Sequence, residues 1–229
     1  MIEKDVVRIE QSSEEGSIQG IRDILITWLH QDYYSSCSIG YAQGMTDICW
    51  VFWNVFEGES SLAFDAFCGW MAQRGAYFVK DSPAMRYDLS VVRKLLQITQ
   101  PSLYELLEQR GSLSMFFAYR WLVLAFRREF PIRPDLLRLW EVLFCNPFTQ
   151  KYHLFVVLAI LERYSEQLQA EMQCEQPEAQ MEGVAKFFSE CTFEVGDLVQ
   201  RAEKIWLRWE RVYFLASDED LVQLKRWDL

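Results

Sequence analysis

Two side chains in this sequence can contribute chemistry that needs no titrating group: Gln43 and Arg8. Gln43 lies in Ser38-Ile39-Gly40-Tyr41-Ala42-Gln43-Gly44-Met45, where two glycines bracket Tyr41-Ala42-Gln43. A long apolar run, Met45 to Phe56, follows. That pattern predicts a tight turn feeding a buried helix, with the Gln43 amide at its mouth. Alone, a glutamine in such a turn reads first as a structural hydrogen-bonder. Arg8 changes the reading. Arginine carries a fixed charge on a planar fork of donors. Glutamine offers a donor and an acceptor on one rigid amide.

Other chemistries are not declared. There is no Gly-x-Gly-x-x-Gly, no phosphate-binding Walker loop, no His-Glu-x-x-His and no Gly-x-Ser-x-Gly. The histidines number only two, His30 and His153, and none of the six cysteines forms a Cys-x-x-Cys pair, so no metal site is expected. His153 lies in an apolar run and reads as a satisfied core residue. A net charge of −10 repels nucleic acid, and no basic stripe is interleaved with aromatics. The polar residues that stand out are embedded in apolar runs or flank tight turns: Asp5, Arg8, Gln43, Asp47, Arg120 and Glu141. Arg120 is costly to bury unpaired and should meet a carboxylate, with Asp47 and Glu141 as candidates. That pair reads as structural.

The elements that must position these residues are helical. With 229 residues, 51% of them hydrophobic, the chain can bury one large core or two closely packed subdomains sharing one. Strand alternation and hairpin dipeptides are scarce. Residues 1–9 leave no room for a helix of their own before a polar loop, Glu10–Gly20. A three-four apolar spacing from Ile18 predicts an amphipathic helix, with Ser17 as candidate N-cap. Met45–Phe56 should be buried on all sides and end at Gly58. Leu62–Phe78, capped by Ser60 or Ser61, follows. Pro83 then opens a helix that runs towards Pro101, and Ser102–Gln109 ends at Gly111. Ser114–Phe130, Asp135–Phe144 and Tyr152–Tyr164 continue the series, with a turn at Asn146-Pro147. Glu166–Glu182 is either a polar helix or a loop. Val184–Phe188 and Val195–Trp209 resume amphipathic spacing, leaving 216–229 as a tail with another helical turn or two. The longest greasy run, Met115 to Phe126, is too short to span a bilayer and carries Arg120. A reduced, cytoplasmic protein is the default.

Ile2-x-x-Asp5-x-x-Arg8, followed later by Tyr41-x-Gln43-Gly44-Met45, resembles the two signature motifs of TBC domains, the GTPase-activating domains for Rab GTPases. The likeness continues in order. Phe117-Ala118-Tyr119-Arg120-Trp121-Leu122 through Phe126-Arg127-Arg128-Glu129-Phe130 is similar to the family's Phe-x-x-Arg-Trp and Phe-Lys-Arg-Glu-Phe helix. Arg138-Leu139-Trp140-Glu141 is similar to its Leu-Trp-Glu motif, and His153-Leu154 through Ile160-Leu161 to the buried helix after it. Ile9 stands where threonine is common in the family.

The resemblance implies an all-α, multi-helix fold of two closely packed helical subdomains. The TBC domain would occupy 1–215, without the helices that precede the arginine motif in the family. It implies that Arg8 enters a Rab active site and neutralises charge building on the γ-phosphate, while Gln43 orients the attacking water. Asp5 and Tyr41 would hold the finger loops. Gly40 and Gly44 would let the backbone come close, with Ile2 and Met45 as further support. Asp47, Arg120 and Glu141 would be structural. GTP and Mg²⁺ belong to the Rab, so the chain has no cofactor of its own and completes its partner's active site. The expected partner is a GTP-bound Rab. Membranes are met only through it, at the periphery of endomembranes, where the activity would regulate vesicle trafficking. The rival readings are a non-catalytic Rab- or adaptor-binding module of the same fold, and a helical scaffold unrelated to GTPases.

Overall fold

The computed structural model describes Ile2, Asp5 and residues 15–33, 39–130, 133–174 and 180–215. Among the described residues every regular element is a helix, as expected. Ten are α-helical: α1 Glu15–Tyr33, α2 Met45–Val55, α3 Ser60–Arg74, α4 Pro83–Thr99, α5 Pro101–Gln109, α6 Tyr119–Val123, α7 Arg133–Cys145, α8 Tyr152–Cys174, α9 Gln180–Glu190 and α10 Val195–Leu215. Short 3₁₀ turns occupy Gly75–Phe78 and Phe116–Ala118. The contacts divide the chain into two units, Met1–Met85 and Arg86–Leu229. The expected tail, 216–229, lies outside the described residues.

In the first unit α1, α2 and α3 pack on one another. The three-four spacing of α1 turns Ile21, Ile24, Leu25 and Trp28 inward, all buried. They meet Met45, Ile48, Cys49 and Val51 of α2 and Ala63, Phe67, Trp70 and Met71 of α3. Trp28 stands edge-on to Phe67 at 5.7 Å between ring centroids, a geometry aromatic quadrupoles favour. Helix α1 starts at Glu15, inside the stretch expected to be loop, so Ser17 is within the helix rather than its cap. Gly20 lies within this helix. Its bare backbone admits the Trp53 indole, and a Cβ there would lie 1.9 Å from Trp53 Cη2. Packing overrides the weak helix propensity of glycine. Ile2 and Asp5 are also helical, against the expectation for residues 1–9.

Helix α2 is not buried on all sides. Trp50, Phe52 and Trp53 are half-buried and Val55 is 40% exposed, although Trp53 packs on Gly20 of α1 and Phe52 stands 6.1 Å from Trp70 of α3. Asn54 satisfies its amide on the Trp50 carbonyl at 2.7 Å. Gly58, at φ 84°, stops the helix as read. Ser82 caps α4: its hydroxyl donates to the Ala76 carbonyl at 2.7 Å and accepts from the Met85 amide at 3.1 Å.

In the second unit α8 is the centre. Leu154 to Leu161 are all fully buried, and α10, α9 and α5 pack around the helix. His153 is buried and bonded to Asp88 Oδ2 at 3.1 Å, as its apolar setting suggested. Of Glu166–Glu182, expected as a polar helix or a loop, residues 166–174 and 180–182 are helical, and 175–179 lie outside the described residues.

The run Ser114–Phe130 is not one helix. Met115, Ala125 and Phe126 take positive φ angles of 54°, 44° and 62°. Each is worth roughly 1 kcal/mol or more of strain in a non-glycine residue. The break is repaid by hydrogen bonds: the Phe126 amide donates to the Trp121 carbonyl and the Trp140 indole to the Ala125 carbonyl, both at 2.8 Å. It also brings Arg120 to Glu129, at 2.7 Å through Nη2 and 2.8 Å through Nε. Glu129 is therefore the carboxylate Arg120 meets, rather than Asp47 or Glu141; Glu141 is solvent-exposed. Across nine residues of continuous helix the two would stand about 13.5 Å apart along the axis. Ion pairing and a straight helix are incompatible here.

Candidate functional site

In the described part of the turn between α1 and α2, residues 39–44, hydrogen bonds and burial hold the residues around one side chain. That part starts at Ile39 and Gly40, whose amides both donate to Asp32 Oδ2 at 2.8 Å. The Ile39 side chain lies against Gly75, where an added Cβ would fall 2.5 Å from Ile39 Cδ1. Next, the Tyr41 hydroxyl donates to Asp5 Oδ2 at 2.8 Å and shares a 2.7 Å hydrogen bond with Thr46 Oγ1. The Ala42 amide meets Met45 Sδ at 3.3 Å, and the Ala42 carbonyl accepts from the Met45 amide at 3.2 Å.

Gly40 and Gly44 are required by backbone geometry. Their φ angles are 69° and 99°, and Gly44 is the residue that caps α2. A Cβ at either would be strained, so the glycines that bracket the motif are what let it turn. Met45 and Thr46 then bury their side chains in the first turn of α2, and Asp47, half-buried, puts a carboxylate at that helix's positive end. Gln43 alone among Tyr41 to Thr46 is exposed.

Burial pushes the Tyr41 phenol well above its usual range, and the Asp5 carboxylate adds to the effect. Tyr41 therefore stays a neutral donor, which is the state its bond to Asp5 needs. The arrangement presents an uncharged amide on a fixed platform. It can orient a polar molecule or water.

Of the residues singled out in the sequence, Asp5, Gly40, Tyr41, Gln43, Gly44 and Met45 are gathered at this turn, and Asp47 follows it. Ile2 is half-buried and helical. Arg8 lies outside the described residues. Arg120 and Glu141 belong to the second unit and not to the turn. The sequence reading missed Asp32 and Thr46. Nothing in a helical Asp marks it as a partner for the loop that follows, nor in a helical Thr for the loop before it. Among the described residues no group of three or more His, Cys, Asp or Glu is placed to hold a metal ion, and no helix is long and apolar enough to cross a membrane.

The sequence profile of the Rab-GTPase-TBC domain matches residues 1–169. The chain belongs to the Rab-GTPase-TBC domain family. As a TBC domain it is 33% identical over 199 residues to the GTPase-activating protein GYP7 of Yarrowia lipolytica, covering 86% of this chain and 26% of that protein. It is 34% identical over 168 residues to human TBC1 domain family member 17, covering 71% of this chain and 25% of the relative. The chain thus spans about a quarter of the length of these curated relatives. Its fold is similar to the crystal structure of the Ypt/Rab-GAP domain of Gyp1p, with a TM-score of 0.71 at 16% identity over 93% of this chain and 73% of that one. At that identity the likeness speaks for the TBC fold alone.

Proposed function

We propose that this TBC domain accelerates GTP hydrolysis by a Rab-family GTPase, with Arg8 and Gln43 entering the partner's nucleotide site together. GTP and Mg²⁺ stay on the Rab. Water attacks the γ-phosphorus, and the bond to the β–γ bridging oxygen breaks. Arg8 neutralises charge gathering on the γ-phosphoryl and bridging oxygens, and the Gln43 amide holds the water in line. Arginine fingers supplied in trans give rate factors of roughly 10³–10⁵. The domain extends over 1–215 and meets membranes only through the Rab, at the cytoplasmic periphery of endomembranes.

The observation that carries the reading is the bond from Tyr41 to Asp5. It joins the segment of the arginine motif to the turn that displays Gln43. Arg8 belongs to the same motif, three residues after Asp5 in the sequence.

The test is single-turnover phosphate release from a panel of GTP-loaded Rabs. Arg8→Ala and Arg8→Lys should each remove most of the stimulation, because lysine lacks the planar fork. Gln43→Ala should do likewise. Undiminished stimulation after both changes would overturn the assignment, and binding of GTP-loaded Rab without acceleration by the unaltered chain would select a binding module instead.

A further inference from the structure

We propose that Asp32 is a positioning residue that sets the geometry of the Gln43 turn; this rests on the reading of Gln43 given above. Asp32 lies in the last turn of α1 and is half-buried. A carboxylate is locally unfavourable there, since the C-terminal end of a helix carries partial negative charge and aspartate is a weak helix former. What offsets that is downstream. A single oxygen, Oδ2, receives the successive amides of Ile39 and Gly40 at 2.8 Å each. Two successive N–H groups converging on one anion fix both peptide planes, and charge-assisted bonds of this length are the strong kind. The positive φ of Gly40 is part of the same convergence.

The anchor is rigid because α1 is. Ile21, Ile24, Leu25 and Trp28 lock that helix into the core of the first unit. Asp32 carries this rigidity across to the loop, three residues before Gln43. Tyr41 and Ala42 relay it through their own bonds. Without the Asp32 contact the start of the turn would be held by the Ile39 side chain against Gly75, a contact that allows rotation. Positioning of this kind acts on the rate of the chemical step more than on affinity.

The test uses the full chain with Asp32→Asn, which keeps the shape without the charge, and Asp32→Ala, which removes both bonds. Amide hydrogen exchange at Ile39 and Gly40 should accelerate about 10-fold or more in the alanine variant and less in the asparagine variant. Single-turnover phosphate release from a GTP-loaded Rab should slow roughly 10- to 100-fold at saturating protein. The half-saturating concentration should stay within about threefold. Placed in a Gln43→Ala background, the same substitutions should add little further loss, because both act through one route. Unchanged exchange at Ile39 and Gly40 overturns the proposal, as does an equal loss of rate in both backgrounds. If Asp32→Ala does not fold, Asp32→Asn carries the same readouts at smaller size. If Gln43→Ala alone leaves hydrolysis intact with every Rab, the functional reading fails by itself, and the exchange measurement still decides whether Asp32 holds the turn.

Discussion

Tyr41 and Asp5, 36 positions apart, meet through a 2.8 Å hydrogen bond from phenol to carboxylate. The same hydroxyl meets Thr46 in the first turn of α2. One oxygen therefore links the N-terminal motif, the glycine-bracketed turn and the helix the turn feeds.

Tyr41→Phe tests that link. It deletes one hydroxyl and leaves the ring. The loss in stability should be about 1–3 kcal/mol, the range for a half-buried bond to a charged acceptor, read from urea unfolding. Stimulated hydrolysis should fall by roughly 10-fold or more, as expected when a positioned group is released. A phenylalanine variant with full stimulation would remove Tyr41 from the site.

Gly75→Ala separates stability from geometry. The new methyl would press on Ile39 Cδ1, the far end of a flexible side chain, at 2.5 Å. The side chain can rotate away, so the loss in stability should lie at the low end of about 1–3 kcal/mol. Ile39 carries one of the two amides held by Asp32, so the displacement enters the turn directly. Phosphate release should suffer more than the unfolding midpoint. The reverse order would show that the notch serves packing alone.

Gly20→Ala runs against helix propensity. Alanine should favour a helix interior by about 1 kcal/mol over glycine. Here the Trp53 ring occupies the space, with Cη2 1.9 Å from the new methyl. Overpacking against a rigid indole costs about 1–3 kcal/mol and should win. Calorimetry should find the variant less stable, and Trp53→Leu in the same chain should recover part of the loss. A more stable single variant would contradict the packing described for α1.

Glu129→Gln should depend on pH. Burial lifts the Glu129 carboxyl above its ordinary 4.5, and Arg120 only partly opposes this. Its Oε2 is buried without a hydrogen-bond partner, while the Arg120 side chain is 45% exposed. A carboxyl that binds a proton more tightly when folded contributes most stability below pH 4.5, and that contribution is lost as pH rises through the folded value. Glutamine keeps the neutral form at every pH. The variant should match the parent near pH 4 and melt at equal or higher temperature at pH 7–8. A large loss of melting temperature at pH 7 that vanishes at pH 4 would show instead that the ionised pair with Arg120 dominates.

Much of the fold was legible because punctuation and periodicity agreed. Pro83, Pro101, Gly58 and Gly111 mark real boundaries, and the apolar stretch from Tyr152 reads as central because it is. The turn at Gln43 was legible through its glycines. The failures share a cause: contacts that no local pattern of the sequence marks. Apolar composition gave no sign that Ser114–Phe130 must break, although Arg120 and Glu129 both stand in the run and only a bend lets them meet. Gly20 read as loop because the Trp53 ring that fills its place lies on another helix. Asp32 was invisible as an anchor for the same reason.

Helices usually keep one side on which replacements drift unnoticed. From Leu154 to Leu161 helix α8 has no such side, since every residue is sealed from solvent. A polar replacement at any of these eight positions has no water to turn towards, and trimming a large one leaves a hole costing several kcal/mol. This stretch should therefore be the least permissive in a saturation library, even though it carries none of the residues assigned to the partner's nucleotide.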